Sequence, residues 1–282
     1  MTVCELPTSE EVGFLIHRPD SIPTHPKPQA PSWAFPSEAF GKVGYGGHDL
    51  RRRVFGLSHP YGREMLRQLL AADLEPIAIV EEDSPVADEE REKFLVRISG
   101  FPVAPTFTEQ LRGRDIPRYE VPHHNKAECR ELLWGLKPAL GVLGGTRIIK
   151  PSILEVPKDG MLNSHPGLLP EVRGSASVAW SIYYDIPIGC TCHFIDPYID
   201  TGPIVGRRLI PVYRGDTYEK LCWETIGLAG TLITEAVDAW RKGTLRMTPQ
   251  GPGPEALKVA PPEILDVVYR KLREGTYKHF VD

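Results

Sequence analysis

Two short segments of the chain contain the side-chain types that acyl transfer needs. Asn163 and His165 lie two residues apart in a run that favours a β-strand, so both side chains fall on one side of it. A carboxamide can donate a hydrogen bond to a developing oxyanion, and an imidazole can carry a proton. Further along the chain, His193 ends a second predicted strand, and the following loop contains Asp196 and Asp200. Because a carboxylate orients an imidazole and raises its pKa, these residues together predict an acyl-transfer site.

Each of these residues has a simpler interpretation when it is taken alone. Asn163 could cap the turn that follows it, His165 could be an ordinary turn histidine, and Asp200 could start the next turn. Arg173 and Gly174 could bind a phosphate or carboxylate of a substrate, or they could brace the loop. Only their position within the two longer sequence blocks described below favours chemistry.

Short apolar runs alternate with amphipathic stretches along most of the chain. The runs typical of strands lie at 53–57, 76–80, 139–143, 161–163, 188–195 and 204–212. The stretches with helical spacing or capping signals lie at 65–70, 88–93, 125–136, 216–240 and 262–272. The third and fourth of these are expected to begin with capping boxes, formed by Asn125 with Glu128 and by Asp216 with Glu219. This alternation predicts an α/β fold with a doubly wound, mostly parallel, Rossmann-like sheet. Ligands of such sheets bind at the carboxyl ends of the strands, and we expect Asn163 and His165 there, both exposed to a cleft.

Proline divides the chain into parts. Seven of the 28 prolines precede residue 40, and proline fixes φ and lacks an N–H donor, so this segment is expected to form neither a long helix nor a central strand. We divide the chain into a Pro-rich N-terminal arm (1–48), a catalytic domain (49–243), and a linker with a short C-terminal helix (244–282). The arm is either docked on the body through its aromatic residues or disordered.

The composition excludes several classes of protein. The chain has 282 residues, 41% of them hydrophobic, as is typical of a globular protein. Its 33 basic and 37 acidic side chains give a net charge of −4, which provides no positive electrostatic potential to attract nucleic acid. No apolar run is long enough for a membrane span and no secretion signal begins the chain, so we expect a cytoplasmic protein. Five scattered cysteines predict neither a disulfide framework nor a metal site, and Cys190 and Cys192 alternate as core residues would. His123 and His124, before a predicted helix, are expected at the surface.

Two blocks of the sequence resemble the folate-dependent formyltransferases, which move a formyl group from 10-formyltetrahydrofolate to an amine. The first block, Asn-x-His-x-x-x-Leu-Pro-x-x-Arg-Gly, runs from Asn163 to Gly174. The second combines Gly-x-Thr-x-His-Phe-Ile-Asp at 189–196 with Ile-Asp-Thr-Gly-Pro at 199–203. The resemblance covers roughly 53–243 and is most specific over 161–215. It implies the formyltransferase fold and an enzyme of one-carbon transfer.

The resemblance also implies roles for individual residues. Asn163, His165 and Asp200 would be catalytic, and His193 would help to position Asp200. The donor would lie between two loops, and the residues implied for its binding are Thr146, Arg147, Ile148, Ile149, Asp196, Tyr198 and Ile199. Much of that contact would be made by main chain, and no metal is implied.

Features that are missing narrow the expected acceptor. The glycinamide ribonucleotide enzymes carry a Gly-rich phosphate loop at a place that here reads Ser58–Arg63. The methionyl-tRNA enzymes have a basic C-terminal domain, which the short segment after Gly243 and the negative net charge do not supply. We therefore expect a small-molecule amine as acceptor: an amino sugar, an amino-acid-like amine or a secondary-metabolite amine.

The sequence leaves two alternatives to this activity open and disfavours a third. A 10-formyltetrahydrofolate hydrolase and a non-catalytic folate-binding homologue stay open. A nicotinamide oxidoreductase is disfavoured, because no Gly-x-Gly-x-x-Gly follows a predicted strand. The arm and the C-terminal tail are foreign to the family core, and they are candidates for lining the acceptor cleft or for contacting a second copy in a homodimer.

Overall fold

The computed structural model describes residues 13–16 and 59–281. This part of the chain contains seven strands and eight helices. In chain order they are β1 Gly13–Ile16, α1 Pro60–Ala71, β2 Ala78–Glu82, α2 Pro85–Arg97, α3 Phe107–Gln110, β3 Arg118–Val121, α4 Ala127–Leu136, β4 Leu140–Leu143, α5 Pro151–Leu154, β5 Met161–His165, α6 Ser177–Tyr183, β6 Gly189–Phe194, β7 Ile204–Leu209, α7 Tyr218–Arg241 and α8 Pro262–Glu274.

The seven strands form one sheet in the order β3-β2-β1-β4-β5-β6-β7. Strands β2, β3, β4, β5 and β7 point in one direction, whereas β1 and β6 run antiparallel to their neighbours. The predicted α/β fold with mostly parallel strands is therefore confirmed. Strands β6 and β7 run antiparallel to each other because a short connection joins them, whereas parallel strands need a crossover of a dozen or more residues.

A segment of the Pro-rich region lies in the centre of the sheet. Strand β1 (Gly13–Ile16) pairs antiparallel with β2 on one side and with β4 on the other. The expectation that 1–48 contributes no central strand is wrong, because these four residues form an apolar, proline-free run between Pro7 and Pro19. The strand predicted at 53–57 and the aromatic residues expected to dock the arm, Trp33, Phe35 and Phe40, lie outside the described residues.

Helices cover both faces of the sheet. Ile79 and Leu162 belong to the larger hydrophobic cluster, which is built on α1 and α7, whereas their chain neighbours Val80 and Met161 belong to the cluster beneath α4 and α5. Successive strand residues point to opposite faces. Both faces of the central strands are therefore buried, and the functional groups of the sheet must lie at the strand ends.

Two helix starts differ from the prediction by one or two residues. Helix α7 is capped by Thr217, whose hydroxyl accepts from the Lys220 N–H at 3.2 Å, and not by Asp216. The Asp216 carboxylate accepts the Tyr213 N–H at 2.8 Å instead. Helix α4 starts after Lys126 without a side-chain cap. The side chain of Asn125, the predicted cap, is engaged elsewhere.

The cysteines of β6 are core residues, as predicted. Cys190 and Cys192 are fully buried, and burial raises the pKa of both thiols. Cys129 and Cys222 are also buried as free thiols. Over the described residues, the structure contains no helix that is long and apolar enough to cross a membrane.

Candidate active site

Strand β5 carries the first two predicted site residues at its carboxyl end. Asn163 lies opposite Leu143 of β4 and opposite His193 of β6 in the sheet register. His165 is the last residue of the strand. The register thus places the Asn163 amide beside the imidazole of His193, and the Nδ2 and Nε2 atoms are 3.3 Å apart.

The Asp200 carboxylate is the point at which the predicted residues meet. Its Oδ2 atom lies 3.4 Å from Nδ1 of His165, and its Oδ1 atom lies 3.6 Å from Nε2 of His193. The Gly174 N–H donates to Oδ2 at 2.8 Å. The structure therefore brings Asn163, His165 and Asp200 into one cluster together with His193 and Gly174.

Carbonyl partners fix which ring nitrogens carry protons. Nε2 of His165 lies 2.8 Å from the Val172 carbonyl, which can only accept, so Nε2 is the donor. Nδ1, which faces Asp200, is then the nitrogen that can take up a proton. In His193, Nδ1 donates to the Phe194 carbonyl at 2.9 Å, so that in the neutral ring Nε2 accepts from the Asn163 amide.

Burial and charge act in opposite directions on the two central groups. Burial lowers the pKa of His165 below its ordinary value, and the nearby Asp200 carboxylate only partly offsets this. Burial disfavours the Asp200 anion too, but the His165 and His193 imidazoles and the Gly174 N–H outweigh it and hold the pKa of Asp200 well below its usual range. At neutral pH the uncharged His165 imidazole therefore lies beside the Asp200 carboxylate, and Nδ1 of His165 can accept a proton.

The expectation that His165 is exposed to a cleft is wrong. Its side chain is only 5% exposed. The turn after β5 folds back so that the Val172 carbonyl and the Ser177 hydroxyl, at 3.1 Å, both meet Nε2. Gly167 allows this close approach, because a Cβ atom there would lie 2.8 Å from Nε2. Asn163, by contrast, is only half-buried.

The loop after β6 presents apolar side chains next to Asp200. Tyr198 and Ile199 are exposed. The Asp196 carboxylate holds the loop, since its Oδ1 accepts from the Tyr198 N–H at 3.1 Å and from the Thr201 hydroxyl at 2.6 Å. Asp196 thus shapes this loop from within, while the two exposed side chains offer contact surface.

The loop after β4 contains the other predicted donor-binding residues. It begins at Leu143, the register partner of Asn163. Thr146 and Arg147 are half-buried, Ile148 is exposed and Ile149 is buried. The loop therefore leaves one apolar side chain, Ile148, available for contact close to β5.

A hydrogen-bond network that the sequence analysis missed holds this loop. The fully buried Glu82 carboxylate pairs with Arg147 at 2.7 Å and accepts from Nδ1 of His124 at 2.8 Å. Nε2 of His124 lies 2.7 Å from Nδ2 of Asn125 and 3.2 Å from the Ile148 carbonyl oxygen. The Asn125 side chain also donates to the Ile148 carbonyl and accepts from the Lys150 N–H, both at 2.7 Å.

This network corrects two expectations. His124 is buried rather than at the surface, because it bridges Glu82 and Asn125. Asn125 serves the loop rather than the start of α4. The only signal in the sequence was Glu82, an acidic residue at the end of the apolar run predicted at 76–80. The pattern of apolar and polar residues does not show which side chains pair with it.

Glu82, His123 and His124 also lie close enough together to hold a metal ion, with ligand atoms within 4.8 Å of one another. Their donor atoms are engaged by protein groups, however. The Arg147 guanidinium pairs with Glu82, and the Asn125 N–H donates to Nδ1 of His123 at 3.0 Å. We therefore interpret the cluster as a support for the loop.

The part of the chain that contains this site is similar in sequence to known proteins. A model of the formyl transferase family matches residues 95–237, which is half of the chain and includes β5, β6 and Asp200. The methionyl-tRNA formyltransferase of Thermodesulfovibrio yellowstonii is 37% identical over 105 residues, which cover 37% of this chain and 34% of that protein. The corresponding protein of Ectopseudomonas mendocina is 29% identical over 201 residues, covering 70% and 60%. The chain thus spans only about a third to three fifths of the length of these curated relatives.

Solved structures share the fold. The phosphoribosylglycinamide formyltransferase of Anaplasma phagocytophilum matches with a TM-score of 0.54 and 17% identity, over 72% of this chain and 93% of that one. The glycinamide ribonucleotide transformylase 1 of Symbiobacterium toebii matches with a TM-score of 0.51 and 20% identity, over 69% and 92%. At these identities the likeness concerns the architecture alone.

Proposed function

Because the chain belongs to the formyl transferase family, we propose that it transfers a formyl group from 10-formyltetrahydrofolate to the amine of a small molecule. The resemblance noted in its sequence is confirmed at the level of the family. The observation that carries the proposal is the meeting of His165 and Asp200, 3.4 Å apart, in a cluster with Asn163 and His193 at the carboxyl end of β5.

The two loops beside this cluster fit a reduced folate. Ile148 on one loop, with Tyr198 and Ile199 on the other, offers exposed apolar surface of the kind that an aromatic ring system covers. Thr146, Arg147 and Ile149 complete the first loop, and Asp196 shapes the second. Arg173 and Gly174 line the turn that contacts Asp200, and Gly174 supports that residue directly.

The residues of the cluster divide the work of the transfer between them. When bound, 10-formyltetrahydrofolate supplies the formyl group on N10 and leaves with the acceptor's proton on that nitrogen. The half-buried Asn163 amide donates to the formyl oxygen as negative charge develops there, and one such donor is worth about 3–4 kcal/mol in the barrier. Nδ1 of His165 takes up, through water, the proton that the amine loses as the new C–N bond forms, and Asp200 stabilises the imidazolium. The same proton then passes to N10 as the bond between N10 and the formyl carbon breaks.

A small acceptor is supported by the charge of the protein. The net charge is −4. On the edge strand β7, Arg207 and Arg208 are each paired with a carboxylate, of Glu171 and Glu235 respectively, at 3.0 Å. The charges of these two arginines are therefore neutralised by carboxylates, and the arginines do not form a surface for the phosphates of a nucleic acid.

The test is an acceptor screen with 10-formyltetrahydrofolate. Amino-sugar nucleotides, free amino sugars, amino acids and methionyl-tRNA are offered in separate pools, and tetrahydrofolate and the formylated product are followed by absorbance and mass spectrometry. We expect a formylated small-molecule amine. A formylated tRNA would overturn the small-acceptor assignment, and formate release without an acceptor would indicate a hydrolase. Donor binding without turnover in any pool would indicate a folate-binding homologue.

A further inference from the structure

Beyond the residues of the cluster, we propose that Gln250 is a positioning residue that fixes the backbone of Asp200 and so aims its carboxylate at His165. Gln250 lies in the segment after α7, outside the blocks that resemble the family. The inference rests on the proposed function for its catalytic consequence, but its structural part can be tested without any substrate.

The Gln250 amide forms hydrogen bonds with the main chain of the loop that contains Asp200. Its Nε2 atom donates to the Asp200 carbonyl at 3.0 Å and to the Gly202 carbonyl at 2.6 Å. Its Oε1 atom accepts from Nη2 of Arg173 at 3.3 Å. Since a guanidinium only donates, Arg173 fixes which end of the amide faces the two carbonyls. Both amide ends are used, and the side chain is half-buried.

Asp200 needs such support because of its backbone conformation. Its φ is 54°, in the left-handed region that residues other than glycine rarely adopt. A residue in that region persists only where its surroundings hold it. The two carbonyls that this amide binds belong to the Asp200–Thr201 and Gly202–Pro203 peptide groups, so Gln250 keeps both from turning and holds the loop in the conformation that directs the carboxylate inward.

The same C-terminal segment controls the other contact of Asp200. The Leu257 N–H donates to the Arg173 carbonyl at 2.9 Å, and the Ser175 N–H donates to the Leu257 carbonyl at 2.8 Å. These bonds fix the Gly174 peptide, whose N–H donates to Oδ2 of Asp200. A Cβ atom at Gly174 would lie 2.2 Å from the Leu257 carbonyl oxygen, so the two segments are in close contact. The segment therefore holds Asp200 by its main chain through Gln250 and by its carboxylate through Gly174.

The experiment compares Gln250→Met with Gln110→Met. Methionine keeps the length of the side chain and removes its hydrogen bonds. Gln110 is a matched control, because its amide also donates to two carbonyls, of Arg63 at 3.0 Å and Pro105 at 2.6 Å, at another place in the fold. The readouts are kcat, the KM for 10-formyltetrahydrofolate, and the titration of the His165 imidazole by NMR on histidine-labelled protein.

We expect Gln250→Met to lower kcat at least about 10-fold with the donor KM changed less than about twofold, since misplacing a catalytic group chiefly slows the chemical step. The pKa of His165 should fall as well, because the carboxylate that favours its protonated form moves away. Gln110→Met should change neither quantity. An unchanged His165 titration in folded Gln250→Met protein would overturn the proposal, even if its thermal stability had fallen.

A second variant covers the case in which Gln250→Met does not fold. In Gln250→Glu a carboxylate faces the two carbonyls at neutral pH, but its protonated form can again donate to one of them. We expect the ratio of variant to wild-type activity to rise as the pH is lowered. A ratio that stays constant with pH would contradict the role of the donated hydrogen bond. If the wild-type protein shows no transferase activity, the proposed function fails, and the His165 titration still decides the positioning role.

Discussion

Oδ2 of Asp200 and Nδ1 of His165 lie 3.4 Å apart, although His165 ends strand β5 and Asp200 lies in the loop after the neighbouring strand β6. The His165 side chain is 5% exposed and the Asp200 side chain 13% exposed. The Val172 carbonyl occupies the other ring nitrogen, so proton uptake by His165 must occur on the side of Asp200. Proton transfer in the proposed reaction therefore depends on this one pair.

Replacing either member of the pair should abolish most of the activity. We expect His165→Ala and Asp200→Asn to lower kcat by about 10²–10⁴-fold, the usual contribution of a positioned proton-transfer group. Steady-state assays measure kcat, and calorimetry with a stable folate analogue should show little change in donor binding. Asp185→Asn is the control: Asp185 has the same left-handed φ, 53° against 54°, but pairs with Lys271 away from the cluster. Wild-type turnover in both variants would refute the assignment.

The titration of His165 should move in a defined direction when Asp200 is neutralised. Burial lowers the pKa of His165 and the Asp200 carboxylate raises it, so Asp200→Asn should lower the pKa further. In the wild-type protein most of the His165 imidazole should be uncharged at pH 6.5, where an ordinary imidazole is half protonated, so activity that needs the free base should persist at that pH. NMR titration of labelled histidine measures both effects. A pKa that rises in Asp200→Asn would mean that the carboxylate does not act on this ring.

Acid should destabilise the protein through a second buried histidine. Burial, followed by the charges of Arg91, Arg97 and Arg63, lowers the pKa of His59 to about 3. Between pH 6.5 and 3 the unfolded chain binds a proton at this position that the folded chain excludes, so the free energy of unfolding falls as the pH falls, by about 1.4 kcal/mol per pH unit for one proton. The stability that a neutral His59 contributes is thus fully present above pH 6.5.

The variant His59→Asn isolates that effect. Asparagine can still cap α1 by accepting the Tyr61 N–H, as Nδ1 of His59 does at 3.2 Å, but it does not titrate. Urea unfolding at a series of pH values should give a shallower loss of stability below pH 6 for the variant than for the wild type. Parallel curves for the two proteins would show that His59 does not titrate as described.

The network behind the β4 loop should control donor binding rather than the chemical step. Asn125→Ala removes the side chain that holds the Ile148 carbonyl and the Lys150 N–H. A hydrogen bond of this kind contributes about 0.5–1.5 kcal/mol, so losing both should weaken donor binding roughly 10-fold, with kcat changed much less. Calorimetric titration with a folate analogue measures the affinity. Gln68→Ala, which removes a comparable amide bond to the Gly227 carbonyl, should leave it unchanged.

The sequence predicted the parts of the fold that repeat a simple pattern. Strands β2, β4, β5, β6 and β7 and helices α1, α4, α7 and α8 all follow from apolar periodicity. Strand β3, Arg-Tyr-Glu-Val, contains no continuous apolar run, and the helices α3, α5 and α6, of four to seven residues, show too little periodicity to be distinguished from loops. Strand β1 was missed because the prolines around it dominated the interpretation of the segment.

The site shows the same division. Asn163, His165 and Asp200 were predicted together from motif and register, and the structure brings them together. The residues that support them, such as Gln250 and Asn125, act through side-chain bonds to main-chain groups far away in the sequence. No local pattern encodes such a bond, and it becomes visible only when both segments are placed.

Because Cys192 is buried in β6, the rate at which its thiol is alkylated can report how often this strand separates from its neighbours. Cys192 directly precedes His193 and lies opposite Ser164 of β5. A thiol that is fully buried, with a raised pKa, reacts with an alkylating agent only after its surroundings open. The rate at which mass spectrometry detects alkylation of Cys192 therefore measures how often β6 separates from its neighbours, and saturating donor should slow that rate if binding closes the two loops over the end of the strand.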